Sequence, residues 1–333
     1  MLFLESLSRN IYLYFIMNSL VLFELVFLIL TVINGQISIQ EGGKAYLLEL
    51  LPKRMKVCDN IIVKDIEGGA ATVLAAGKRY VEWMRNHTMG IITLDSFSGQ
   101  WKYEMARLSV PQVPQCTHMH VFGDEVKNYD EAKRFCYFTD IKPPGQCVAY
   151  SIGSNNNWDF EEYMHKDSDC KIETFDCTLN ATIPEPIRDR TRFHPICIGA
   201  TDSIDEKRQR FATVSNLNKA AGRNEGPDYF KIDVEGYEWT ILKQMVKHAD
   251  VNPDGHLHLP LQIYAEYHLD RESSTDNRYF VNGPNTAMVG KRLIHFWNEM
   301  FIKGGYMIMH VRNTIQTRNH DVLLAKVFCP LSE

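Results

Sequence analysis

The sequence predicts an α/β fold, a doubly wound sheet closed by an antiparallel pair of strands. Three observations predict it. Val148 to Trp158 runs as an apolar stretch, a glycine at 153, small polar residues and a helix start, with Asp159, Glu161 and Glu162 in the first helical turn. Acids there suit the positive end of the helix dipole. From that point, strand-like and helix-like segments alternate, as in α/β domains. At the end, 306–311 and 321–328 read as strands with about nine polar residues between them. That gap is too short for a helical crossover, so the pair is antiparallel.

Taken in order, the chain opens on an almost wholly apolar run from Ile11 to Ile33, interrupted by Asn18, Ser19 and Glu24. It is long enough to span a bilayer. A start at Met17 would instead make Leu20–Ile33 the core of a secretory signal, with Gly35 at the cleavage site and no basic segment before it. Signal or signal anchor over 1–35, either sends the rest of the chain to the secretory lumen. Residues 36–115 read as a stem and helical cap: Tyr46–Leu51 ends a short helix before Pro52, and Ala70–Met84 is helical with Val73, Leu74, Tyr80, Val81 and Trp83 as its buried positions.

The main domain is placed at 116–333. Thr117–Phe122 is a strand, Asp124–Tyr137 is polar and exposed, and Pro143-Pro144-Gly145 breaks the chain before the Gly153 strand. Lys171–Asp176 is the next strand, and Phe193–Ala200 a third that ends at Asp202. Arg210–Val214 is a short extra strand. Asp228–Asp233 is a strand followed by a helix with Trp239, Leu242, Met245 and Val246 on one face. Leu259–Glu266 is a fifth strand, followed by Tyr267 and His268. Val289, Leu293, Phe296, Met300 and Phe301 mark an amphipathic helix stopped by Gly304-Gly305.

Bulk composition narrows the function. The chain has 333 residues, 45% hydrophobic and 23% charged, with a formal net charge of −5. That is enough for a large α/β domain with extensions. No basic stripe with interleaved aromatics is visible, which disfavours nucleic acid as a partner. The eight cysteines, 58, 116, 136, 147, 170, 177, 197 and 329, form no CxxC, so zinc is a poor reading. An even count in an oxidising compartment allows disulfides, with the connectivity unreadable. The sequons at Asn86 and Asn180 are glycosylation candidates.

The glycine turn at Gly153 and the strand-terminal Asp176 have the layout of a nucleotide-type cofactor site. Glycine lets backbone approach a ligand, and a carboxylate accepts hydrogen bonds from a ribose diol. The acids at the strand ends, Asp176, Asp202 and Asp233, would lie along one sheet edge. For proton transfer the candidates are Asp233, Glu235 and His268. Each has a plainer reading: Asp233 as an N-cap, Glu235 as a first-turn acid, His268 as a surface or capping residue. A metal at Asp233 is disfavoured, because hard cations need more oxygen ligands than this stretch shows. Cys177 and Cys197 are buried fillers or disulfide partners rather than catalytic thiols.

Tyr150–Asn156 with Trp158 and Phe160, the Phe175-Asp176 strand end, and Lys231–Glu238 (KIDVEGYE) resemble the FkbM-type methyltransferase domain, in particular the secretory-pathway methyltransferase-like proteins of animals. The resemblance covers roughly Cys116 to Phe328. It implies a class I, Rossmann-like, seven-stranded sheet with a reversed last strand, S-adenosylmethionine as cofactor, and methyl transfer to oxygen. Carried over, Gly153, Ser154 and Asn155 line the methionine end of the cofactor, Asp176 holds the ribose, and Asp202 sits near the adenine. Asp233 and Glu235 face the reacting end. Cys177 departs from the family's frequent proline, and the first motif has one glycine where class I enzymes usually have two. The expected acceptor is a hydroxyl of a glycan or secreted metabolite, met in the ER or Golgi lumen by a single-pass type II protein or by a secreted one. The alternative is an inactive methyltransferase fold used for interaction.

Overall fold

The computed structural model describes residues 55–91, 111–126, 132–137, 145–252, 254–268, 296–313 and 319–331. The apolar N-terminal segment and the Tyr46–Leu51 helix end lie outside them. Among the described residues no helix is long and apolar enough to cross a membrane.

Arg54–Glu333 form one unit. It starts with strand β1 (Met55–Val57) and helices α1 (Ile61–Asp65) and α2 (Gly69–Ile91). Asn60 caps α1, its Oδ1 accepting from Val63 N at 3.0 Å, while its Nδ2 donates to Lys326 O at 2.7 Å. Val73, Tyr80, Val81 and Trp83 of α2 are buried as expected, but Leu74 is exposed. Leu74 neighbours Val73 in sequence, so on a helix it points about 100° away from it, off the buried stripe. Tyr80 packs on Phe301, with ring centroids 4.6 Å apart.

Strands β2 (Met119–Phe122) and β3 (Lys133–Cys136) form an antiparallel ribbon. The expectation of an exposed 124–137 is corrected here: Lys133, Phe135 and Cys136 are fully buried. Gln262 explains the burial, because its Oε1 accepts from Cys136 N at 2.7 Å and its Nε2 donates to Cys136 O at 3.1 Å. A side-chain amide thus gives the ribbon the hydrogen bonds that a neighbouring strand would supply.

The main sheet takes β4 (Val148–Ile152), β5 (Lys171–Phe175), β6 (Thr191–His194), β10 (Tyr229–Ile232), β11 (Gln262–His268), β12 (Tyr306–Asn313) and β13 (Asn319–Lys326). Its order is β12-β13-β11-β10-β4-β5-β6. β4 pairs in parallel with β5 and β10, and β10 with β11; β13 is antiparallel to both of its neighbours. This is the expected seven-stranded sheet with a reversed last strand. β4 and β10 are buried along their whole length, because helices cover both faces and the period-2 signal disappears.

The third strand is shorter than predicted. It ends at His194, because Pro195 cannot donate to the ladder. The next residues instead build a small separate sheet of β7 (Cys197–Ile198), β8 (Ser203–Ile204) and β9 (Arg210–Ala212). Helices α3 (Asp159–Asp167), α4 (Val214–Ala220), α5 (Glu238–Val251) and α6 (described over 296–304) complete the fold. Ile241, Leu242, Met245 and Val246 bury one face of α5. Strand β14 (Phe328–Pro330) returns to pair with β1.

Four disulfides, Cys58–Cys329, Cys116–Cys136, Cys147–Cys170 and Cys177–Cys197, use all eight cysteines. The first ties the start of the unit to its last strand, 271 residues away. Long loops give the largest chain-entropy effect, so changing both Cys58 and Cys329 to Ser should cost about 2–5 kcal/mol. Denaturant midpoints with amide exchange over α1 and α2 check this. An unchanged midpoint would mean that the β1–β14 pairing holds the N-terminal helices without the bridge.

Candidate functional site

The chain leaves β4 towards β5 and β6 on one side and returns through β10 and β11 on the other, so the sheet reverses between β4 and β10. Open α/β sheets bind ligands at the carboxyl ends of the strands at such a reversal. Gly153 sits there with φ of +78°, and a Cβ on it would come within 1.9 Å of Asp233 O. Its N–H donates to Phe175 O at 3.0 Å and its carbonyl accepts from Lys231 Nζ at 3.0 Å. Lys231 is buried in the middle of the sheet, and Glu161 of α3 is buried as well. Burial raises the Glu161 carboxyl above the usual range, and the Lys231 charge opposes that. The turn continues through Asn155 and Asn156, both left-handed, a conformation that asparagine tolerates better than most residues.

Asp176, at the end of β5, is buried. Its Oδ2 accepts from Asn155 N at 2.9 Å, and its Oδ1 from Thr178 N at 2.8 Å and Thr178 Oγ1 at 2.6 Å. The carboxylate therefore joins the glycine turn to its own strand end, and Oδ2 keeps a further lone pair. Cys177, expected with Cys197 as a buried filler or a disulfide partner, is bridged to Cys197 and fixes the chain directly after Asp176.

Asp233 is half-buried beside Gly153, and its N–H donates to Ile152 O at 3.1 Å. It does not cap α5, whose N-cap is Tyr237. Glu235 is exposed, with φ of +56°. The acid that organises this loop is Glu238, fully buried in the first turn of α5. Its Oε1 accepts from Val234 N at 2.8 Å and its Oε2 from Gly236 N at 3.0 Å. Oε1 is also 3.1 Å from His268 Nδ1.

His268, the last residue of β11, is 4% exposed and so is neither a surface nor a helix-capping residue. Its Nε2 lies 3.7 Å from Glu235 Oε2 and 4.0 Å from Glu266 Oε1. Burial lowers its pKa, but the bond to Glu238 and the charges of Glu238, Asp233 and Glu266 outweigh burial and push it up to about 9. Behind Glu266 stands Lys133 of the ribbon, 3.6 Å from Glu266 and 3.8 Å from Asp321. Ligand atoms of Asp233, Glu238 and His268 lie within 4.8 Å of one another. Of the three, Glu238 and His268 Nδ1 are hydrogen-bonded to each other, and Glu238 also holds the loop.

The structure brings Gly153, Ser154, Asn155, Asp176, Asp233, Glu235 and His268 to the carboxyl ends of four neighbouring strands. Asp202 is set differently. It is exposed at the start of α4, where it accepts from Thr213 N at 2.9 Å and Asn216 Nδ2 at 2.5 Å, and these bonds lower its pKa. It also borders a cavity of about 410 Å³ between α4 and α5, which none of the other seven residues lines. Glu238, Lys231 and Glu266 carry roles that spacing did not reveal. A first-turn acid, a mid-strand lysine and a mid-strand glutamate look ordinary until the contacts across the sheet are known.

The fold and this strand-end edge define a class I methyltransferase. The pattern of a family described as a methyltransferase domain matches residues 94–272, and the chain belongs to that family. The resemblance seen in Tyr150–Asn156 and Lys231–Glu238 is borne out at that level. No curated protein matches the chain. It is similar to a solved structure, the N-terminal domain of EvdMO1 with SAH bound, at 12% identity and a TM-score of 0.27, over 57% of this chain and 76% of that one.

S-adenosylmethionine is the cofactor of such a domain, and the residues here fit it. Gly153 closes against the Asp233 carbonyl and sets the turn, which Asn155 and Asn156 continue in the left-handed conformation. Ser154 Oγ is buried in the turn without a hydrogen-bond partner. The carboxylates at 233, 235, 238 and 266 gather around His268 at the same edge. Asp176→Ala removes a charge-assisted bond worth about 1.5–3 kcal/mol. Calorimetric affinity for S-adenosylmethionine should therefore fall about tenfold or more, and unchanged affinity in a folded variant would return Asp176 to a purely structural role.

The raised His268 value also makes stability depend on pH. The unfolded imidazole titrates near 6.5 and the folded one near 9. The stability from its pairing is therefore fully present below about pH 6.5 and lost as pH rises through about 9. Comparing denaturant midpoints at pH 6 and 9.5, His268→Gln should be less stable than wild type at the lower pH and close to it at the higher. A gap independent of pH would contradict the pairing.

Proposed function

We propose that this chain methylates oxygen, transferring the methyl of S-adenosylmethionine to a hydroxyl of a glycan or secreted metabolite in the lumen of the secretory pathway. One observation carries the reading: the cofactor turn at Gly153 abuts Asp233, whose loop is tied through Glu238 to a histidine. The cofactor supplies an electrophilic methyl carbon. The chain's own residues hold donor and acceptor in line, which supplies much of the acceleration, and take up the hydroxyl proton. Gly153, Ser154, Asn155 and Asp176 would hold the methionine and ribose portions, with Asp202 near the adenine. Asp233, Glu235 and His268 would face the acceptor.

Two further features support the lumenal setting. Four disulfides suit an oxidising compartment. Asn180 of the second sequon is exposed on a loop. The apolar segment before residue 36 would deliver the domain there as an anchor or a cleaved signal.

Labelled S-adenosylmethionine offered with released glycans, small-molecule extract and protein tests the reading. Label should enter glycans or small hydroxylated molecules, and Asp233→Asn should reduce it about a hundredfold. Label confined to protein nitrogen or carboxyl groups would overturn the oxygen assignment. Absence of cofactor binding at millimolar concentration would favour an interaction protein built on the same fold.

A further inference from the structure

The Asp233–His268 region contains several acids and one imidazole, and the hydrogen bonds separate their roles. Glu238 reaches three donors at once: Val234 N, Gly236 N and His268 Nδ1. Backbone N–H groups can only donate, so Glu238 acts as the acceptor at all three, and His268 Nδ1 is the donor in its bond. Trp239 Nε1 donates to the His268 carbonyl at 3.2 Å, holding the backbone of the same residue. His268 is therefore held from α5 at its ring and at its backbone. Its second nitrogen, Nε2, points to the side where the loop carries Glu235 and β11 carries Glu266.

We propose that Glu238 is a positioning residue, which holds His268 in the tautomer protonated at Nδ1 so that neutral Nε2 takes the proton of the acceptor hydroxyl. This rests on the methyltransferase reading and assigns within it the group that accepts the proton. In the transfer, the acceptor oxygen bonds the methyl carbon as the carbon–sulfur bond breaks. The pair of electrons of that bond leaves with sulfur, and the hydroxyl proton passes to Nε2. The resulting imidazolium is held by Glu238 until it loses the proton to solvent.

The other acids serve this task less well. Asp233 has its backbone against the glycine turn and its carboxylate within 4.8 Å of His268, where its charge acts on the ring, and Glu235 is solvent-exposed. Glu266 is engaged by Lys133, which also reaches Asp321. Imidazole is also more basic than any of these carboxylates. The groups facing the ring are Glu238 from α5, Asp233 and Glu235 from the loop, and Glu266 from its own strand, with Lys133 of β3 behind Glu266. Their net negative charge keeps the ring protonated at neutral pH, so turnover should climb as pH is raised towards about 9.

Two measurements on the whole protein test the proposal. Imidazole NMR of wild type, with His268 assigned by comparison with His268→Gln, should show titration near pH 9 and the Nδ1–H tautomer above it. An Nε2–H tautomer, or titration below pH 7, would overturn the proposal without any appeal to activity. In the second, Glu238→Gln keeps an oxygen for Nδ1 but removes the charge. Its pH–kcat limb should move down by about one unit or more, with the KM for S-adenosylmethionine changed less than about threefold. A Glu238→Gln protein with wild-type circular dichroism and an unmoved limb would refute it. Loss of cofactor binding in wild type would instead defeat the methyltransferase reading, while the NMR titration would still decide the pairing.

Discussion

The contact between Gly153 and the backbone of Asp233 is the constraint on which the site depends. With no side chain at 153, the end of β4 closes directly onto the end of β10, where any Cβ would overlap a carbonyl oxygen. Lys231 secures the same junction from below by donating to the Gly153 carbonyl. A buried ammonium is costly unless paired, and its hydrogen bond to the turn and the Glu161 carboxyl nearby offset that cost. The turn then reaches across to β5 through the Asn155–Asp176 bond. Three strand ends are thereby locked into one arrangement.

The fourth strand end is joined by charge. Glu238 holds the loop after β10 and the histidine that ends β11, so the geometry of the loop and the state of the ring cannot change independently. Lys133 extends this set outwards through Glu266 and Asp321, and Arg312 pairs with Asp321 beyond it. The ribbon that carries Lys133 lies outside the main sheet, yet it balances charge beside the proposed acceptor side. Its Cys116–Cys136 bridge and its bonds to Gln262 fix it in that place.

The disulfides add support where the sheet alone would leave strand ends free. Cys177–Cys197 lies one residue beyond Asp176, and Cys147–Cys170 joins the residues just before β4 and β5. β5 is therefore anchored by disulfides at both ends and β4 at its start. Cys58–Cys329 ties the N-terminal segment to the last strand, and Tyr80 of α2 packs on Phe301 of α6.

By itself the sequence determined the fold class, the strand–turn–helix at Gly153, the strand ending at Asp176, the Asp233 strand and the antiparallel closing pair. Each is set by local chemistry: apolar runs of strand length, a glycine that must break them, and a connection too short to cross over. It also picked out seven residues that meet at one edge. What it could not decide were features that depend on partners far along the chain. The Phe193 strand stops at His194, and Asp202, expected at a strand end, instead braces α4. The ribbon around Lys133 reads as polar loop because its burial is created by Gln262, 126 residues away. Cysteine pairing has no local signal, and neither does the role of Glu238, which as a first-turn acid looks like any other. Only the tertiary structure places a histidine 30 residues further on against it, and that contact turns a surface-like acid and an isolated histidine into a coupled pair.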